Sequence, residues 1–233
     1  MDKPRPGHRP VRSYVLREGR LTAGQRKALE RLWPVYGLEV PAAEDRPLNC
    51  RRVFGRDAPT RLEIGFGDGG ALLEMAEKNP HCNFIGVEVH RPGVGRLLLQ
   101  LEARRLDNIR VFCADAIEVL STAIAEHSLE AVYLYFPDPW PKKKHHKRRI
   151  LQGAFIELVA DRLTPGGCLH FATDWQPYAE QALERLEQSA RLKNHAGPGQ
   201  FSPRPDERPL TKFERRGHNL GHGVWDIVMC RVG

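Results

Sequence analysis

Residues 61–89 read RLEIGFGDGGALLEMAEKNPHCNFIGVEV. A short apolar strand, RLEIG (61–65), runs into a glycine-rich turn. A helical pattern follows in ALLEMAEK (71–78), and then a second apolar strand, NFIGVEV (83–89). Strand, crossover helix and strand form the unit of a parallel sheet, because two parallel strands cannot be joined by a tight hairpin. The same alternation continues outward. Strands are expected at 109–114, 131–136 and 166–173, and helices at 93–106, 117–125, 150–163 and 178–188. Five such steps predict an α/β fold, a doubly wound and mostly parallel sheet. A late strand, VWDIVMCRV (224–232), has no helix behind it and suits an antiparallel last position.

Upstream, residues 1–12 are rich in Pro and Arg and are expected to be flexible. Thr22 and Gln25 form a T-x-x-Q capping box for a helix expected to stop near Pro34. Residues 37–54 read as a loop, so the division expected is a basic N-terminal extension (1–54) and one catalytic-size domain (55–233). The five cysteines are scattered and odd in number, which favours a reducing cytoplasm over a disulfide framework or a cysteine-based zinc site. His218 and His222 have helical spacing but no accompanying ligand pattern, so no metal is expected. No apolar run is long enough to span a membrane, and the N-terminus lacks the apolar core of a signal peptide.

Charge is unevenly placed. Of the net +7, residues 1–54 carry +6 and residues 142–149 another +6, which leaves −5 for the rest. A mildly acidic body with two basic segments suits a nucleic-acid partner. The second segment sits in FPDPWPKKKHHKRR (136–149), where a single carboxylate, Asp138, is held between two prolines directly before the block.

In a doubly wound sheet, ligands bind beyond the carboxyl ends of the strands. Gly65, Gly67 and Gly70 form a G-x-G-x-x-G turn there, a weak signal that equally suits a dinucleotide. The acids decide between ligands: Glu63, Glu88, Asp115 and Asp138 lie at or near the ends of four strands. A pyrophosphate would be repelled by them. S-adenosyl-L-methionine has no phosphate, carries positive charge, and offers a ribose diol and an adenine amino group to carboxylates. An NAD-dependent oxidoreductase leaves Asp115 and the basic block without a use. A non-catalytic RNA-binding module leaves the strand-end acids without one.

On LEIGFGDGG, IGVEVH (85–90), FPDPWPKKKHHKRRI (136–150), ATDW (172–175), TKFERRG (211–217) and YVLREGRLTAGQRKALE (14–30), the chain resembles the bacterial tRNA (guanine(46)-N7)-methyltransferase family. The resemblance implies a Rossmann-like seven-stranded class I methyltransferase fold, S-adenosyl-L-methionine as methyl donor and tRNA as partner, with monomer and homodimer both open. Carried over by position, Glu63, Gly65, Gly67, Glu88, Asp115 and Asp138 would bind the cofactor, with Asp138 also catalytic. Lys142, Asp174, Thr211, Lys212, Phe213 and Glu214 would bind substrate, and Lys144, His145, His146, Lys147, Arg148 and Arg149 would contact RNA. Structural alternatives stand beside these roles. Thr211 and Glu214 match a capping box, Asp174 suits a helix N-cap, and Trp140 and Trp175 suit either a base-stacking platform or the core.

Overall fold

The computed structural model describes residues 13–14, 19–42, 45–211, 214 and 223–233. Its elements are α1 (Ala23–Tyr36), β1 (Gly37–Leu38), α2 (Cys50–Phe54), β2 (Thr60–Ile64), α3 (Gly70–Lys78), β3 (Asn83–Val87), α4 (Arg91–Arg104) and β4 (Ile109–Phe112). They continue with α5 (Ala116–Glu118), β5 (Leu129–Tyr135), α6 (Gly153–Arg162), β6 (Leu163–Thr173), α7 (Gln176–Glu187), β7 (Leu192–Asn194) and β8 (Trp225–Arg231). The sheet has eight strands in the order β1-β4-β3-β2-β5-β6-β8-β7. Among the described residues, only β8 and its contacts with β6 and β7 are antiparallel. The expected seven strands gain a two-residue edge, β1, which pairs Gly37 and Leu38 with Val111 and Phe112.

The central strands are buried on both faces, so their side chains feed two apolar layers. Leu62, Ile64, Ile85 and Val132 join Phe155, Val159 and Tyr178 in one layer. Phe84, Ile109 and Val111 join Leu72, Val94 and Leu97 in the other. Glu63, between Leu62 and Ile64, therefore turns to the second face by strand alternation. Strand order reverses around β2, which places a crevice beyond the ends of β2, β3, β4 and β5.

Three local expectations change. The capping box forms, with Thr22 and Gln25 exchanging hydrogen bonds of 2.9 and 3.2 Å, but α1 continues through Pro34 to Tyr36. Pro34 lies in the last turn, where one missing backbone donor is tolerated. Within 37–54, β1 and α2 interrupt the loop, and α1 is tied to α4 by Gln25 Nε2 donating to the Pro92 carbonyl at 3.1 Å. The helix read at 117–125 is a three-residue α-turn that widens into a π-helix over Val119–Ala123.

The cysteines also differ from expectation. Cys168 and Cys230 face each other across β6 and β8 and form a disulfide. Their separation of 62 residues hid the pairing. Only the antiparallel register brings them together.

Candidate active site

The crevice begins where β2 ends. Gly65 and Gly67 have φ values of 71° and 59°, a left-handed conformation that side chains disfavour. The turn also lets α4 come close: a Cβ on Gly93 would lie 2.1 Å from the Gly67 carbonyl oxygen.

Glu88, just past β3, locks this turn. One carboxylate oxygen accepts from Gly67 N at 2.8 Å, and the other accepts from Val89 N and His90 N at 2.8 and 2.9 Å. A carboxylate has about four acceptor positions, so Glu88 keeps roughly one for a ligand hydroxyl, in a fixed direction. Asp115 follows β4 and caps α5, its Oδ1 accepting from Ile117 N at 2.8 Å.

Beyond β5, Phe136 and Trp140 both adopt positive φ, 51° and 45°. For bulky residues this conformation costs about 1–3 kcal/mol each and persists only where the surroundings impose it. Phe136 N donates to the Ala172 carbonyl at 2.8 Å, pinning the turn to β6. The two strained residues bracket Pro137-Asp138-Pro139, and Asp138 stands exposed at the rim.

These pieces enclose two adjoining cavities. The first, about 260 Å³, is lined by Gly65, Gly67, Glu88, Asp115 and Asp138. The second, about 420 Å³, is lined by Glu63, Asp68, Phe136, Leu210 and Thr211. Gly65, Gly67, Tyr135 and Phe136 belong to both. Glu63 is 3% exposed and its Oε2 has no hydrogen-bond partner. Burial first, then the charges of Glu88 and Asp68, push its carboxyl up to about 8. An orphaned acid at the wall of a cavity suits a cationic group. Glu88 suits a diol and Asp115 an amine. The residues present therefore fit S-adenosyl-L-methionine, the donor expected from the sequence.

The basic run forms a 3₁₀ helix, Lys143–Arg148, beside this site. Lys142, Lys143, Lys144 and Lys147 are exposed, and His145 and His146 half-buried. Arg148 lies over the Trp140 ring at 3.8 Å and donates to the Tyr14 carbonyl at 3.3 Å. Trp140 thus has one face covered by Arg148 and donates Nε1 to the Ser13 carbonyl at 3.1 Å. Trp175 is exposed.

Arg149 departs from its expected role. It is 2% exposed, lies over Tyr178, and donates to the Pro139 carbonyl at 2.8 Å and to Gln181 Oε1 at 2.7 Å. It braces the Pro139 turn from inside. Glu214 departs likewise. It is 1% exposed, and both its oxygens accept from Arg208, at 2.6 and 2.7 Å. That buried pairing was not expected from the sequence.

Thr211 Oγ1 accepts from Glu214 N at 3.1 Å, half of the capping-box alternative, while Thr211 also lines the second cavity. Asp174 is half-buried in the turn before α7, whose N-cap is Trp175, so its capping alternative is not realised. Lys212, Phe213, His218 and His222 lie outside the described residues.

Sequence reasoning missed two groups. Ser13 and Tyr14 line the first cavity; Tyr14 opens the segment 14–30 that resembles the family, but no site role was read from it. His170, Arg208 and Asp226 are buried beside the site, and a polar residue inside each of the apolar strands GCLHFAT and VWDIVMC was the available signal.

A family model described as "Putative methyltransferase" matches residues 57–227. A tRNA (guanine-N(7)-)-methyltransferase of Alcanivorax borkumensis is 59% identical over 94% of this chain and 91% of its own length. One from Alkalilimnicola ehrlichii is 58% identical over 95% and 92%. The chain belongs to the bacterial tRNA (guanine-N7-)-methyltransferase family. Among solved structures, the 16S rRNA methyltransferase KamB superposes with a TM-score of 0.58 at 14% identity, covering 84% of this chain and all (100%) of that one. The [4+2]-cyclase SpnF superposes at 0.52 with 16% identity, covering 90% and 82%. Both show the fold alone, and the second shows that the fold does not dictate a chemistry. Among the described residues, no helix is long and apolar enough to cross a membrane.

Proposed function

We propose that this protein transfers the methyl group of S-adenosyl-L-methionine to N7 of a guanine in the variable loop of tRNA, in the cytoplasm. One observation carries the reading. A cavity walled by Glu88, Asp115 and Asp138 adjoins the orphaned Glu63, and its rim leads to four exposed lysines. The acids disfavour a phosphate-bearing cofactor, and the lysines favour a phosphate-bearing substrate.

When bound, S-adenosyl-L-methionine supplies an electrophilic methyl group on a sulfonium. Glu63 would hold its cationic amino acid end, Glu88 its ribose and Asp115 its adenine. Guanine N7 carries an in-plane lone pair and no proton, so the protein needs no general base before transfer. Its tasks are orientation and charge. Lys142 meets guanine O6, Asp174 meets the N1 and N2 donors, and Thr211 meets the base from the second cavity. Asp138 faces the positive charge that the purine acquires, a stabilisation that grows towards the transition state. Lys143, Lys144 and Lys147 hold the phosphate backbone.

The test is reaction of the protein with labelled S-adenosyl-L-methionine and unmodified tRNA, followed by nuclease digestion and nucleoside analysis. Label in 7-methylguanosine is the expected result. Label in any other nucleoside, or in none, overturns the reading.

A further inference from the structure

The mechanism above leaves one buried ionic cluster unused. Arg208 is 1% exposed, in the segment leading to Thr211. Its guanidinium grips Glu214 through two nitrogens, at 2.6 and 2.7 Å. It also reaches β8, where Nη2 donates to Asp226 Oδ2 at 3.2 Å and Nε lies 2.7 Å from Oδ1. The Nε contact lacks hydrogen-bond geometry, so it acts as a charge contact. Asp226 in turn bonds His170 Nε2 on β6 at 2.7 Å, and His170 Nδ1 lies 3.1 Å from the hydroxyl of Tyr135, the last residue of β5. Arg208 further sits 5.9 Å from the ring of Phe136, the strained residue that opens the Asp138 turn.

A buried ion pair is costly to assemble and is a weak source of stability. What this one supplies is geometry. A planar fork that holds two carboxylates fixes direction as well as distance. It joins three strands at their site-facing ends to the segment that carries Thr211 into the second cavity.

We infer that Arg208 is a positioning residue for the acceptor base: it sets Thr211 at a fixed height over the Asp138 turn. This rests on the reading that Thr211 contacts the guanine. Lys at this position keeps one charge but cannot span Glu214 and Asp226 with a fork. Arg208→Lys should therefore raise KM for tRNA about tenfold while leaving the dissociation constant for S-adenosyl-L-methionine within about twofold.

The discriminating measurement is made in a Thr211→Val background. If Arg208 acts through Thr211, adding Arg208→Lys there raises KM for tRNA by no more than about twofold further. A merely structural role predicts the full tenfold again. Should Arg208→Lys fail to fold, Glu214→Gln carries the same comparison, because it weakens the fork while keeping the shape. Wild-type protein that makes no 7-methylguanosine overturns the functional reading and this role with it. An active wild type with an unaffected Thr211→Val variant removes Thr211 from the substrate and the positioning role with it. If Thr211→Val is impaired, unchanged KM in Arg208→Lys, or equal effects in both backgrounds, overturns the positioning role alone.

Discussion

The two sides of the site are built on opposite principles. On the cofactor side, carboxylates are buried or tied to backbone N–H groups, as Glu88 is by three bonds. On the substrate side, Lys142, Lys143, Lys144 and Lys147 stand exposed on a 3₁₀ turn, and none of them has a hydrogen bond or ion pair described. The first side recognises a small molecule by fixed short-range geometry. The second attracts a polyanion at a distance and tolerates many arrangements of it. Asp138 stands at the junction, an acid held at a basic edge by two prolines and two strained neighbours.

That division can be broken at the junction first. Asp138→Asn keeps size and loses charge, so single-turnover methyl transfer at saturating tRNA and cofactor should slow by about 10²-fold. Affinity for tRNA should be kept or slightly raised. A rate within threefold of wild type would leave Asp138 as a positioning residue at most.

On the cofactor side, Glu88→Ala removes a fixed acceptor and frees the Gly67 turn. Calorimetry should show S-adenosyl-L-methionine bound about 1.5–3 kcal/mol more weakly. Binding of tRNA measured without cofactor should be unchanged.

The basic run itself divides in two. Arg149→Met strips donors from the Pro139 carbonyl and Gln181, and thermal or denaturant unfolding should show a loss of about 1–3 kcal/mol. Lys147→Met, two residues away and exposed, should change stability by less than about 0.5 kcal/mol. Equal losses would erase the distinction.

A further effect concerns Glu63. Its carboxyl is raised to about 8, so the folded state favours the proton. Stability from this group is fully present below the unfolded value near 4.5 and is lost as pH rises through about 8. Ligand-free Glu63→Gln avoids that loss. Its melting temperature at pH 9 should exceed that of wild type, with the gap closing towards pH 5. The gain should come with weaker cofactor binding, as expected where an acid is kept for function at the expense of stability.

Much of this was legible because strand periodicity and glycine turns are local signals. RLEIG, NFIGVEV and AVYLYF each lie where a buried strand was expected, within a residue or two at their ends. Of the four strand-end acids, three share one cavity and the fourth lines its neighbour. What stayed hidden depends on tertiary pairing. β1 and β7 are two and three residues long, too short to show a period. The Cys168–Cys230 bond follows from antiparallel register between segments 62 residues apart. Arg149 and Lys147 look alike in a basic run, and burial against Tyr178, Pro139 and Gln181 separates them. The buried pairing of Glu214 with Arg208, six residues earlier, was likewise not visible in the sequence.

The most direct measurement compares salt dependence on the two sides in one protein. Wild type and a Lys143→Ala, Lys144→Ala, Lys147→Ala triple variant are titrated with tRNA and, separately, with S-adenosyl-L-methionine across a salt series. The triple variant should lose roughly 0.7–0.9 units of slope in log K against log salt for each phosphate contact removed. Cofactor affinity should stay within twofold between the two proteins at every salt concentration. A tRNA slope equal to that of wild type, or a cofactor affinity that falls with the lysines, would contradict the separation of an acidic cradle from a basic rim.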